Sequence, residues 1–368
     1  VTEKLSFMIQ VIEKLEPSIL AEITAFLHRS PTPAGVTGEH DVRWLNVLEK
    51  ALKHKPVLIV SREGDTSSPI NGYLPLARVS SVLFGRFLVS LPYLNQCGVV
   101  TDDAAVAQQL ISEAVKQADR FNVKYLELRH GQPIEHDGLG ARNDQKVRMV
   151  LKLVKDPDQL WKDMSAKVRN LIRKGEKEGL SIRWGGRDVL DAFYDVFAIN
   201  MRDLGTPVYS KELFGTIVDS FGDQAELAVV DYQGKTVAGA MLIHDRPAHA
   251  AVDFPCNATH VPSASSLREY NHTNANMWMY HQLLLRAIAR GSEEFDFGRS
   301  SVDSGTYRFK KQWGAEPTAT VWQYYLRQGD ISAMRPDSPG NKRKVAVWQK
   351  LPVWLTRAMG PAIVRGIP

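Results

Sequence analysis

Cysteine is nearly missing. Cys97 and Cys256 are the only two in 368 residues, and neither has a Cys-x-x-Cys neighbour. That excludes the paired-thiol metal and redox motifs, and two such distant thiols fit a reducing compartment. The ten histidines are scattered, with no His-Glu-x-x-His pair and no Cys/His cluster, so no metal is expected. Long apolar runs are missing as well. No window of about 18 uncharged apolar residues occurs, which argues against a transmembrane helix. Residues 1–30 carry Glu3, Lys4, Glu13, Lys14, Glu16 and Glu22 among apolar positions, so the uninterrupted core of a secretory signal is absent. The expected location is the cytoplasm. Neither sign of charge dominates. The balance of +5 suits anionic ligands and falls far short of a dedicated nucleic-acid binder.

What is present points to a large core. At 44% hydrophobic content the length suits two domains, or one large one. Val57–Val60, Asn71–Val79 and Leu83–Leu91 read as strands separated by Gly, Pro and Ser signals. Asp103–Asp119 reads as a helix with Val106, Leu110, Ile111, Ala114, Val115 and Ala118 on one face, and Val123–Leu128 as a strand. The order then recurs. Glu226–Asp231, Thr236–His244 and His249–Phe254 read as strands, Thr273–Arg290 as a helix capped by Thr273 or Asn274, and Phe295–Phe297 as a strand. Equal order at similar spacing suggests an internal duplication; coincidence among ordinary α/β elements is the alternative. A meander followed by a helix and a further strand is the core of the GNAT fold. The expected fold class is α/β (α+β), with two tandem GNAT-like (acyl-CoA N-acyltransferase) domains and a cleft between them. The expected divisions are residues 1–145, residues 146–330, and a basic amphipathic tail over 331–368.

Between the halves, Lys146–Leu153 reads as a strand and Asp158 to about Glu178 as one helix, stopped by Gly179. Leu160, Met164, Val168, Leu171 and Ile172 form its apolar stripe. Lys162, Lys167, Arg169, Arg173, Lys174 and Lys177 form its other face, which suits contact with phosphates or RNA, though such a face is more often simply solvated. In the tail, Lys342, Arg343, Lys344, Lys350, Arg357 and Arg365 alternate with Trp348, Trp354 and Leu355. That stretch is either a packed C-terminal helix or a peripheral contact with an anionic inner-membrane surface.

The segment from Glu294 to Gly314 concentrates the residues suited to chemistry. A buried strand and a glycine turn lead into a loop rich in Arg, Lys, hydroxyls and aromatics. Acyl transfer develops an oxyanion, and a fixed cation in a dry cleft is worth about 3 to 4 kcal/mol by analogy with a lost oxyanion donor. Lys310, between Phe309 and Trp313, suits that role; a surface Lys-Lys pair on an amphipathic strand is the plainer alternative. Asp296 suits a base or a partner orienting Arg299, and equally a buried ion pair at a strand end. Ser263–Asn271 reads as a loop before a helix, where hydroxyls and Arg268 favour anions; capping explains it equally well. Asn276 and Tyr280 lie one turn apart on that helix, Tyr307 sits in the late loop, and Arg202 precedes the Gly205-Thr206-Pro207 turn. The Arg/Gln-x-x-Gly-x-Gly/Ala loop that holds a CoA pyrophosphate is not found after Val237–His244.

Phe-Asp-Phe-Gly followed by Phe-Lys-Lys-x-Trp-Gly resembles the late motif of the FemAB family of acyl and aminoacyl transferases. Further support comes from Leu91–Asn95, Tyr125–Arg129, Ile172–Leu180, Asn200–Tyr209, Ser265–Asn276 and Phe295–Pro317. The resemblance is to the group associated with XrtA/PEP-CTERM (exosortase and exopolysaccharide) systems, from about residue 40 to the C-terminus. It implies two tandem GNAT-like domains. It also implies transfer of an amino acid from aminoacyl-tRNA, since characterised relatives place it on the peptide amine of a peptidoglycan precursor. Their active-site Phe-Lys pair maps onto Phe309 and Lys310. The coiled-coil arm that some relatives use near tRNA is absent here.

The expectation is an acyl or aminoacyl transferase acting on an amine or hydroxyl of a saccharide or peptide precursor of the envelope or exopolysaccharide. Lys310, Phe309 and Asp296 would be catalytic, and Arg268, Arg299, Asn276, Tyr280, Tyr307, Arg202 and Trp313 would bind substrate. The donor is aminoacyl-tRNA or acyl-CoA. The rivals are a CoA-dependent GNAT-type N-acetyltransferase and a non-catalytic scaffold of polysaccharide assembly.

Overall fold

The computed structural model describes residues 7–29, 31–143, 145–245, 257–328 and 339–368. The strand expected over His249–Phe254, and Cys256, lie outside the described residues. The chain divides into two compact units, one of residues 1–145, 319–335 and 365–368, the other of residues 146–318 and 336–364.

The first unit carries β1 (Phe7–Ile12), α1 (Pro17–Leu27), α2 (Arg43–Leu52), β2 (Lys55–Glu63), β3 (Ile70–Ser81), β4 (Gly85–Val89), β5 (Val100–Thr101), α3 (Ala104–Arg120), β6 (Tyr125–His130) and β7 (Ala141–Asn143). The second carries β8 (Lys146–Lys152), α4 (Pro157–Asp163), α5 (Ala166–Lys177), β9 (Ser181–Gly185), α6 (Leu190–Leu204), α7 (Lys211–Phe221), β10 (Ala225–Tyr232), β11 (Lys235–His244), β12 (Ala258–Ser266), α8 (Ala275–Ala289), β13 (Glu294–Ser301), α9 (Gly305–Lys311) and β14 (Glu316–Ala319). The chain then adds β15 (Val321–Leu326) to the first sheet, and ends with α10 (Pro339–Trp348) and α11 (Val353–Val364).

The two sheets share one wiring. In the first, the order β1-β2-β3-β4-β6-β15-β7 sets β4 parallel to β6; in the second, β14-β8-β13-β12-β11-β10-β9 sets β12 parallel to β13. Each is an antiparallel meander, then a helix, then a strand returning parallel beside the third, so the repeated order in the sequence is a repeated topology. The expected second domain ran on to residue 330, but β15 pairs antiparallel with β6.

Local chemistry accounts for the elements. Asp103 accepts from the amides of Ala105 and Val106 to start α3. Its apolar face, Val106, Leu110, Ile111, Ala114 and Ala118, meets Val57, Ile59, Leu74 and Leu76 in one core. Full burial of each such aliphatic side chain is worth about 1.5–3 kcal/mol. The helix expected over Asp158–Glu178 is two helices. Ser165 accepts from Val168 N at 3.3 Å and starts α5, while Arg169 donates to the carbonyls of Trp161, Lys162 and Met164 at the end of α4. Arg169 therefore has a structural task and leaves the basic face. Gly179, at φ +74, is the stop.

α5 lies directly on α8. A Cβ at Gly175 would sit 2.8 Å from Trp278 Cβ, an atom fixed to backbone. Gly175→Ala gains about 1 kcal/mol of helix propensity and meets a clash of about 1–3 kcal/mol. A net loss in thermal melting is expected, and an unchanged or raised melting point would contradict this packing. The tail follows the packed alternative: α11 packs on α6, Arg357 pairs with Asp195 at 2.6 Å, and Thr356, Gly360 and Val364 are buried.

Candidate functional site

In the second unit the parallel ladder is short. Ala258, Thr259 and His260 pair with Glu294, Phe295 and Asp296. Beyond them β12 stays with β11 and β13 with β8, and both carry a register irregularity: between Met241 and Ile243 opposite β12, and between Asp296 and Arg299 on β13. The two strands part there. Pro262 falls at the departure and has no N–H to give to a ladder.

Gly298, at φ +75, makes the bulge on β13 and is held from both ends. Its N–H donates to Asp296 Oδ1 at 2.8 Å, and its carbonyl accepts from Lys310 Nζ at 3.0 Å; Lys310 also donates to Arg299 O at 3.0 Å. Ser304 accepts from Tyr307 N and starts α9, whose last turn carries Lys310 inward. Phe309–Trp313 is thus a helix end and not an amphipathic strand. Lys310 is buried, whereas Lys311 is exposed and paired with Glu316.

Asp296 is 1% exposed. Its Oδ2 accepts from Arg148 Nε at 3.0 Å and Nη2 at 2.8 Å, and lies 3.4 Å from His260 Nδ1; His260 Nε2 lies 2.8 Å from Asp245 Oδ1. Arg148 is thus one cation on Asp296, and it stands opposite Arg299 in the β13–β8 register. Burial opposes ionisation of Asp296, but the His260 hydrogen bond, Arg148 and the Gly298 amide together hold its carboxyl well below the usual range. Burial likewise opposes charge on His260, yet Asp245 and Asp296 raise it well above its ordinary value. Burial pushes Lys310 down to about 8, with Asp296 pulling the other way. A carboxylate, an imidazolium, a second carboxylate and a guanidinium thus lie in line beside a weakened ammonium.

Other expected residues fall into two groups. Tyr280 is buried and stacks on Phe297 at 5.6 Å, with Phe309 edge-on at 5.0 Å and Trp313 at 6.1 Å. Phe309 thus joins this aromatic cluster with α8, while Lys310 turns to β13. Trp313 Nε1 and Ser300 Oγ are buried without a hydrogen-bond partner among the described residues. Tyr307 packs at the edge of the same core, and Asn276 is half-buried in the first turn of α8. Arg202 and Arg268 meet elsewhere, at the end of α6: Arg202 pairs with Asp203 Oδ1 at 2.5 Å and Arg268 donates to Asp203 O at 3.2 Å. Ser263–Asn271 is not a loop. Ser263–Ser266 belong to β12, where Ser265 accepts from Asn200, and Arg268–Thr273 form a 3-10 turn. No glycine lies between β12 and α8.

His260, Asp245 and Arg148 carry no local signal in the sequence, because their meeting depends on how the strands pair. Among the described residues no group of three or more His, Cys, Asp or Glu side chains is placed to hold a metal ion, and no helix is long and apolar enough to cross a membrane. In the first unit the equivalent departure is filled by the chain itself. Ser90 N donates to Glu127 O, Cys97 N to Arg129 O, and the buried Arg129 pairs with Glu127 at 2.6 Å and donates to the carbonyls of Leu91 and Leu94. Leu91 and Tyr93 take positive φ, 48° and 73°, to make that fill.

Residues 162–311 match the family described as the acetyltransferase (GNAT) domain. Among solved structures, FemX matches with TM-score 0.62 and 14% identity, over 93% of this chain and 100% of FemX. The C-terminal domain of a putative lysylphosphatidylglycerol synthetase from Agrobacterium fabrum matches with TM-score 0.53 and 11% identity, over 86% of this chain and 93% of that one. A tandem GNAT protein from the clavulanic acid biosynthesis pathway matches with TM-score 0.53 and 12% identity, over 88% of this chain and 100% of that one. No curated protein matches by sequence. At these identities the likeness is one of fold: the chain carries a mixed α/β fold with GNAT-like domains, the fold of GNAT-type acyltransferases.

Proposed function

We propose that the second unit is an acyl or aminoacyl transfer centre, with the activated carbonyl entering where β12 and β13 part. The observation that carries this reading is Lys310, a buried ammonium held on the bulge at that point. Two of its three N–H groups hold the Gly298 and Arg299 carbonyls, which leaves one for a developing oxyanion. Attack by an acceptor amine or hydroxyl forms the new C–N or C–O bond. The tetrahedral intermediate then collapses, the bond from the acyl carbon to the donor's oxygen or sulfur breaks, and the acceptor's proton leaves with the departing group. Lys310 keeps its proton and supplies charge. Asp296 acts through the bulge: it fixes the Gly298 amide and so the carbonyls that orient Lys310.

The glycine-free turn between β12 and α8 favours an aminoacyl donor over one carrying a CoA pyrophosphate. The late motif favours the FemAB group associated with exosortase systems, and with it a saccharide or peptide precursor of the envelope or exopolysaccharide as acceptor. The second reading, CoA-dependent acetyl transfer, is favoured by the match to the GNAT acetyltransferase domain.

Calorimetry against acetyl-CoA, longer acyl-CoAs, and charged and uncharged tRNA tests this. Saturable binding of charged tRNA over uncharged is expected, and at a hundredfold excess over Kd it should add about 2.7 kcal/mol to stability. Binding of acyl-CoA alone makes the second reading correct. Binding of none contradicts both.

A further inference from the structure

In the first unit the turn between β3 and β4 displays two aliphatic side chains in full. Val82 is 106% exposed and Leu83 73%. The turn is not slack. Ser81 Oγ accepts from the amides of Leu83 and Phe84, and Lys124 Nζ donates to Phe84 O at 2.7 Å. The C-terminal residues lie against it: a Cβ at Gly366 would sit 2.5 Å from Ser81 Oγ and 3.1 Å from the Phe84 ring, and Ile367 is exposed beside them. Lys124 at this turn, Arg86 at the start of β4 and Arg365 beside Gly366 are all exposed, and none has an ion pair among the described residues. Asp119 is engaged by Arg327 at 2.6 Å, and Arg327 N in turn donates to Lys124 O.

We propose that this tip, Val82 and Leu83 with Ile367, docks on an anionic lipid surface. A convex, rigid turn offers no groove to a partner's side chain but suits insertion to about 5–10 Å, the headgroup and acyl boundary. Cations of one sign around it match anionic headgroups, each adding about 1 kcal/mol near such a surface. Holding the turn rigid lowers the entropy lost on docking. The site is distinct from the tail helices and stands independently of the transfer reaction.

The test is flotation of the full chain with phosphatidylglycerol-containing vesicles and with pure phosphatidylcholine vesicles, for the wild type, V82N/L83N and R86Q/R365Q. All four positions are exposed, so melting points should be unchanged, which checks folding. The wild type is expected to float with anionic vesicles only and to be released by salt. V82N/L83N should partition at least about tenfold less, from two lost aliphatic insertions. R86Q/R365Q should partition to anionic vesicles less than the wild type and depend less steeply on salt. Equal partition of wild type and V82N/L83N, or none by the wild type, overturns the proposal. So does loss of self-association in V82N/L83N by light scattering without a change in flotation, which assigns the tip to a second copy of the chain.

Discussion

Asp296→Ala is expected to lower folding stability by about 3–5 kcal/mol, the cost of breaking one partner out of a buried ion pair. Asp296 is the hub on which the others depend. Without it, Arg148, at 11% side-chain exposure, loses the carboxylate it holds at 2.8 Å, and His260 keeps one carboxylate instead of two. The Gly298 amide loses its acceptor as well. Urea unfolding of the two proteins measures the difference; a loss below about 1 kcal/mol would mean that the network is solvated and stores little. The pH dependence separates the partners. The folded pKa of Asp296 is depressed below 3.8, so its contribution is present above that value and lost as pH falls through the folded one. That of His260 is raised above 6.5, so its contribution is complete below 6.5 and lost as pH rises through the folded value. Wild-type stability should therefore fall on the alkaline side of neutrality by a component that His260→Gln abolishes.

Lys310→Met should reduce turnover by about 10²–10³-fold, the loss seen when one preorganised oxyanion donor is removed. Methionine keeps most of the length and volume. The stability cost is then confined to the carbonyls of Gly298 and Arg299, about 1–3 kcal/mol each if water cannot reach them. Melting and donor affinity report the fold, and turnover reports the charge. Because burial brings Lys310 to about 8, the wild-type rate should fall as pH rises through that value, as the cation becomes neutral. Lys310→Arg stays charged throughout and should lose that alkaline limb, whatever its absolute rate. Normal turnover by Lys310→Met would remove Lys310 from the chemistry.

Much of this architecture is legible in the chain, and the failures have causes. The first meander with α3 and β6, and β10, β11, α8 and β13 of the second unit, are legible because apolar runs and their Gly, Pro and Ser breaks are local signals. β12 was hidden because Pro262 and the serines 263, 265 and 266 have the composition of a loop. Those residues suit a strand that has given up its ladder on one side. α9 was hidden because its seven residues are too few for a period to show, although Ser304 was available as a cap. Asp296 and Lys310 were visible as candidates from their apolar flanks, but not their partners. Arg148, Asp245 and His260 are distant in sequence, and only the pairing of β8, β13, β12 and β11 assembles them. Arg268 reaches the Asp203 carbonyl at the end of α6 from 65 residues away, a contact that is likewise tertiary.

The most direct test of the account is hydrogen exchange of the full chain with and without a saturating donor. Slowed exchange is expected at 261–266 on β12 and 298–301 on β13, with Asp296→Ala losing the effect at Gly298. Protection confined to the strands of the first unit, with β12 and β13 unchanged, would contradict it.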